Sequence, residues 1–150
     1  MESILKSIKA LLGIQEEQDN FDTELIMHIN SALFVLNQLA VGPKEGFRIV
    51  DEKETWVELV GNRDDIEIIK SCVFLRVKII FDPPATSYLI TNLKEQLEEY
   101  EWRLNIHVES NEYEESEVTA GSLSGTGSSE LYIGDQPVQS GGVGMSSFDL

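Results

Sequence analysis

Apolar residues recur at steps of three and four along the first two thirds of the chain, and the last third loses that rhythm. Between residues 2 and 12, Ile4, Leu5, Ile8, Leu11 and Leu12 share one helical face, with Lys6 and Lys9 on the other. Gly13 stands where a left-handed C-cap belongs. A second helix is predicted over about 22–40, from Leu25, Ile29, Ala32, Leu33, Leu36 and Leu39. The acidic and Asx residues of "EEQDNFD" favour its N-terminal dipole, and Gly42-Pro43 is expected to stop it.

Residues 43–63 are less regular. The stretch "FRIVDEKETWVELVGNRDD" reads either as a loop with a short helix around 55–60, ended by Gly61-Asn62, or as a hairpin of "FRIV" and "TWVELV"; we favour the helix. A third long helix is expected over about 64–81, on Ile66, Ile69, Val73, Val77 and Ile80. Its β-branched content suits a buried strand as well, but about eighteen residues is long for one. Asp82-Pro83-Pro84 ends it, because proline lacks the amide donor and pushes its predecessor out of the α region. The last helix, about 86–105, aligns Ile90, Leu93, Leu97, Tyr100 and Leu104 against a face of Lys94, Glu95, Glu98, Glu99, Glu101 and Arg103. The expected fold is all-α: a small bundle of about four amphipathic helices with an extended C-terminal tail.

Composition divides the chain at the same place. All eleven Lys and Arg lie in residues 1–110, beside twenty of the 27 acids; residues 111–150 hold seven acids, no base and seven of the eleven Gly. We expect a helical domain over 1–108 and a Gly/Ser-rich acidic tail over 109–150, flexible alone and ordered on a partner. That tail carries Leu131, Tyr132 and Ile133 together inside "SELYIGD", and Phe148 and Leu150 near its end. Three strand-type apolar residues are out of place in a bare linker. They suit a segment that adds an edge strand to a partner, with Phe148 and Leu150 filling a second pocket.

A net charge of −16 argues against nucleic acid as the main partner, since phosphate binding needs a basic surface. The single cysteine, Cys72, forms no internal disulfide, and "MESILKSIKALLG" lacks the basic start, apolar run and cleavage site of a signal peptide. No run approaches a membrane span, so a soluble protein without membrane contact is expected.

Catalytic chemistry finds little support. His28 and His107 are far apart in sequence, and Cys72 has no His or Asn placed to activate it. The acidic string from Asp19 to Glu24 lacks the glycine of a calcium loop, and "GSLSGTGSS" has neither the lysine of a phosphate loop nor, with Leu123 in the serine position, a nucleophile elbow. No catalytic residue, cofactor or metal is therefore expected. Trp102 lies one residue off the apolar stripe among charges, at the core edge or a subunit contact; Trp102 and Trp56 are the interface candidates.

The stretch "FLRVKIIFDPPATSYLITNLKEQLEEYEWRLNIHVE" (74–109) resembles the C-terminal helical half of phage head–tail connector proteins, the adaptor or head-completion proteins of long-tailed bacteriophages. A helix ending in Asp82-Pro83-Pro84, then one ending Glu101-Trp102-Arg103-Leu104-Asn105, carries the likeness. "LKSIKALLGI" followed by "FDTELIMHINSAL" fits the short first and longer second helix. The resemblance covers about residues 1–109 and contains no catalytic motif; the tail has no residue-by-residue counterpart in it. It implies a virion protein assembled in the host cytoplasm, whose copies form a ring, usually of twelve, under the portal protein. Such a ring extends the DNA channel used in genome packaging and ejection and receives a tail-side stopper or tail-completion protein. DNA would pass without specific binding, past acidic residues that avoid phosphate contacts. The charge also permits a different reading, an acidic regulator that occupies a partner's nucleic-acid site as a DNA mimic.

Overall fold

The computed structural model describes residues 1–110, and the following concerns the compact unit Met1–Val108 together with the helix that runs out of it. Helix α1 spans Ile4–Leu12. Ser3 caps its N-terminus by accepting from the Lys6 amide, and Gly13, at φ 77°, caps its C-terminus in the left-handed conformation that a Cβ disfavours. A 3-10 turn over Asp19–Phe21 leads into α2, Asp22–Gln38.

Helix α2 ends earlier than Gly42-Pro43 would dictate. Ala40 takes the left-handed position at φ 59°, and the amides of Leu39 and Val41 both turn back to the Leu36 carbonyl at 3.0 Å. The termination is a left-handed cap built on alanine, and Gly42 (φ 90°) serves the loop that follows.

Of the two readings of 43–63, the helix is the one that forms. Helix α3 covers Trp56–Val60, opened by a reciprocal capping box between Thr55 and Glu58 and closed at Gly61. Thr55 instead makes an isolated antiparallel bridge with Ser3, with the Ile4 amide on the Glu54 carbonyl at 3.0 Å and the Trp56 amide on the Glu2 carbonyl at 3.3 Å. The start of the chain thus holds α3 against the bundle.

Helix α4 spans Ile66–Phe81, and α5 runs from residue 87 to 110, the last one described. The expected end near 105 is overrun because neither Gly nor Pro stands between Asn105 and Ser110. Among the described residues there is no β-strand, and the fold is an all-α bundle of four longer helices with the short α3 beside them.

The core joins Ile4, Leu5 and Ile8 of α1 to Leu25, Ile29, Leu33 and Leu36 of α2, Ile69, Val73 and Val77 of α4, and Leu97 and Leu104 of α5. Helix α2 packs chiefly on α4. Phe21 meets Phe81 edge to face at 5.7 Å, which sets the start of α2 against the end of α4. Three members of the expected stripes fall outside this core: Leu11 is 56% exposed, Ile80 is 61% exposed, and the half-buried Ile90 does not pack on it.

Lys9 departs furthest from its expected place. It is not on the outer face with Lys6 but 3% exposed, with its ammonium 2.8 Å from an Asp22 carboxylate oxygen and donating to the Glu16 carbonyl at 2.9 Å. A buried cation is tolerated when its donors are used, and these partners come from the next segment of chain.

Candidate interaction surfaces

The two tryptophans have opposite fates. Trp56 is 1% exposed, and its indole N–H donates to the Ser7 hydroxyl at 2.8 Å, while that hydroxyl donates to the Ile4 carbonyl at 2.9 Å. Its ring is enclosed within the protomer between α1 and the start of α3, so it offers no face to a second subunit. Trp102 stands 63% exposed rather than at the core edge, one turn before Ile106, itself 41% exposed.

Helix α5 is positioned by charge as well as by its apolar seam. Arg76 of α4 grips one Glu101 oxygen with Nε at 2.8 Å and a terminal nitrogen at 2.5 Å. Glu101 is therefore not part of a freely solvated acidic face; Glu95 and Glu98 are exposed, and Glu99 pairs with Arg103 at 2.7 Å. With Arg76 of α4 bonded to Glu101 and only residues 82–86 joining the two helices, α5 folds back antiparallel to α4. Arg76 lies near the end of α4, whereas Glu101 is deep in α5. At a 1.5 Å rise per residue, α5 begins on the order of 13 Å beyond the last turn of α4. Tyr88 and Leu89, 73% and 48% exposed, sit on that projecting end.

A third surface lies beside α2. Met27 and Phe34, seven residues apart and 57% and 64% exposed, face a groove of about 1130 Å³ whose far wall is the 45–48 stretch. Two asparagines hold that wall. The Asn37 side chain donates to the Pro43 carbonyl at 2.7 Å; the Asn30 amide donates to the Ile49 carbonyl at 2.9 Å and accepts from the Ile49 amide at 2.8 Å. The second arrangement is the pair of bonds a neighbouring strand would make. The sequence offered a sign of this groove in Met27 and Phe34, a second apolar stripe off the core face of α2. Its other wall depends on Asn30 reaching nineteen residues along the chain to Ile49.

The chemical inventory is plain. Cys72 is buried in α4, and burial pushes its thiol up to about 12, with the Glu101 charge adding to the shift and Arg76 opposing it. His28 lies 3.7 Å from Glu24 on the same helix. Among the described residues no three of His, Cys, Asp and Glu are grouped to hold a metal ion, and no helix is long and apolar enough to cross a membrane. Leu131, Tyr132, Ile133, Phe148 and Leu150, the residues expected to dock the tail, lie outside the described residues.

Three comparisons bear on this arrangement. A protein-family model described as phage connector protein matches residues 4–111. Neither the curated proteins nor the solved structures yield a match.

Proposed function

The chain belongs to the phage connector protein family, and from that premise we propose that it is a head–tail adaptor whose copies form a ring under the portal protein. Membership makes it a structural component of a phage particle. The ring, of twelve copies as is usual for such adaptors, extends the DNA channel and presents its far side to a tail-side stopper or tail-completion protein. The family match across the whole helical bundle is the observation that carries this reading.

Two properties of the bundle support it. Trp102, Ile106, Tyr88 and Leu89 leave large apolar surface open on α5, which a lone soluble protomer gains nothing by exposing and a ring contact would cover. Glu95 and Glu98 stand exposed on the same helix, in a chain of net charge −16. A channel surface of that sign lets DNA slide, because it forms no lasting phosphate contacts.

The tail completes the proposal. Forty residues reach up to roughly 130 Å when extended, enough to cross to a neighbour or to the portal. Deleting residues 112–150 is expected to leave the helical circular-dichroism spectrum intact and weaken attachment to the portal. Undiminished portal binding by the shortened chain would refute the role of the tail. A tight one-to-one complex with a DNA-binding protein, in place of any ring, would favour a DNA mimic instead.

A further inference from the structure

We propose that the groove beside α2 seats the 130–135 segment of a neighbouring copy of this chain, which adds there as a short strand. The inference rests on the ring reading only in requiring that copies meet.

The groove has what an added strand needs. Its floor is apolar, from Met27, Phe34 and Phe47. Its loop wall has unused backbone: while Ile49 is bonded on both its amide and its carbonyl by Asn30, neither Phe47 nor Arg48 has a backbone partner among the described residues. Main-chain donors and acceptors left open beside an apolar trough are the elements of strand addition, in which backbone bonds supply affinity and alternate side chains supply fit.

Charge selects the occupant. Among the described residues, eight of the eleven Lys and Arg have a carboxylate partner. Lys44 and Arg48 are two of the three that have none; Arg48 lines the loop wall of the groove together with Glu45, and Lys44 immediately precedes that wall. In a chain with 27 acids, two unpaired cations on one loop await an anion from elsewhere. Segment 130–135 carries Glu130 and Asp135 on either side of Leu131-Tyr132-Ile133, and the whole of 111–150 has no base. In an extended segment Leu131 and Ile133 fall on one face, towards Met27 and Phe34, with Tyr132 on the other.

The linking chain is long enough. From Ser110 to Leu131 it reaches up to about 70 Å extended, and roughly 25 Å as a typical flexible coil. Its sequence is acidic: Glu112, Glu114, Glu115 and Glu117 follow directly on a helix that already exposes Glu95, Glu98 and Glu109. Repulsion acts along the chain's own α5, and the ring reading supplies a neighbouring copy within the linker's reach.

A labelled peptide of residues 126–138 tests the pairing, added to the full chain carrying Leu131→Ser and Ile133→Ser so that its own segment does not compete. Saturable binding is expected, at least tenfold weaker when the protein also carries Arg48→Glu or Phe34→Ser, or when the peptide carries the two serines. Absent binding, or binding indifferent to all of these changes, overturns the proposal. The peptide variant alters no fold, so a misfolded protein variant does not obscure the result. Mixing full chains bearing Phe34→Cys with full chains bearing Ile133→Cys should, on oxidation, link two copies. If both cysteines on one chain close only within that chain, and the mixture yields no linked pair, the assignment to a neighbour is wrong. A ring on the portal without peptide binding defeats this inference alone; peptide binding without any ring defeats the adaptor reading alone.

Discussion

The Lys9 ammonium lies 2.8 Å from the Asp22 carboxylate and donates to the Glu16 carbonyl, so one buried cation joins the end of α1 to the start of α2. Replacing it with alanine leaves that carbonyl without its donor and the buried Asp22 oxygen, which has no hydrogen-bond partner among the described residues, without its counter-charge. Removing one partner of a fully buried pair costs about 3–5 kcal/mol. Asp22 keeps 26% of its side chain in water, which reduces the penalty. Lys9→Ala should therefore cost about 2 kcal/mol in denaturant unfolding, whereas Lys53→Ala, on a side chain 84% exposed, should change little.

The end of α2 makes a prediction of opposite sign. Ala40 holds φ 59°, a left-handed conformation that costs a non-glycine residue about 1 kcal/mol. Ala40→Gly should raise stability by about 0.5 kcal/mol, the strain relief being partly offset by the freer unfolded chain. Gly42→Ala should lower it, since the new Cβ would sit at φ 90° and 3.1 Å from Leu59 Cδ1. Urea midpoints of the two variants should move in opposite directions.

Acid should weaken the fold through Asp65. Burial opposes its ionisation, but the Arg63 guanidinium, bonded at 2.6 and 2.8 Å, and the charge of His107 outweigh that and hold the carboxyl below its usual range. A carboxyl depressed in the folded state binds its proton more readily when unfolded. Its contribution is thus present above the unfolded value, near pH 4, and is lost as pH falls through the lower folded value. Denaturation followed from pH 6 down to about 2 should show that loss, and Arg63→Ala should shrink it.

Much of the fold was legible because its signals are local. Ser3 and Gly13 bracket α1 within one short stretch, Thr55 and Glu58 cap α3 three residues apart, and Pro83-Pro84 leaves α4 nowhere to continue. What failed to be legible depends on partners distant in sequence. Lysine is read as a surface residue until Asp22 and the Glu16 carbonyl are brought to Lys9. Trp56 looked like an interface residue until Ser7, 49 positions away, accepted its N–H. The groove beside α2 has the same origin, since its loop wall exists through Asn30 and Asn37 and not through any pattern within 43–49.

Trp102 separates folding from assembly. At 63% exposure it contributes little to the protomer, so Trp102→Ser should change unfolding free energy by no more than about 0.5 kcal/mol. As a ring contact it should matter far more, since buried aromatic anchors carry about 2 kcal/mol or more of an interface. Sedimentation of assembled material should show association weakened at least tenfold. Unchanged association would remove Trp102 from the contact.

Electron microscopy of the full chain mixed with the portal of the same phage tests the adaptor reading most directly. The account predicts a closed ring of copies coaxial with the portal, its opening continuous with the DNA channel. Portals that remain bare at saturating protein, or that carry scattered single copies with no ring, would contradict it.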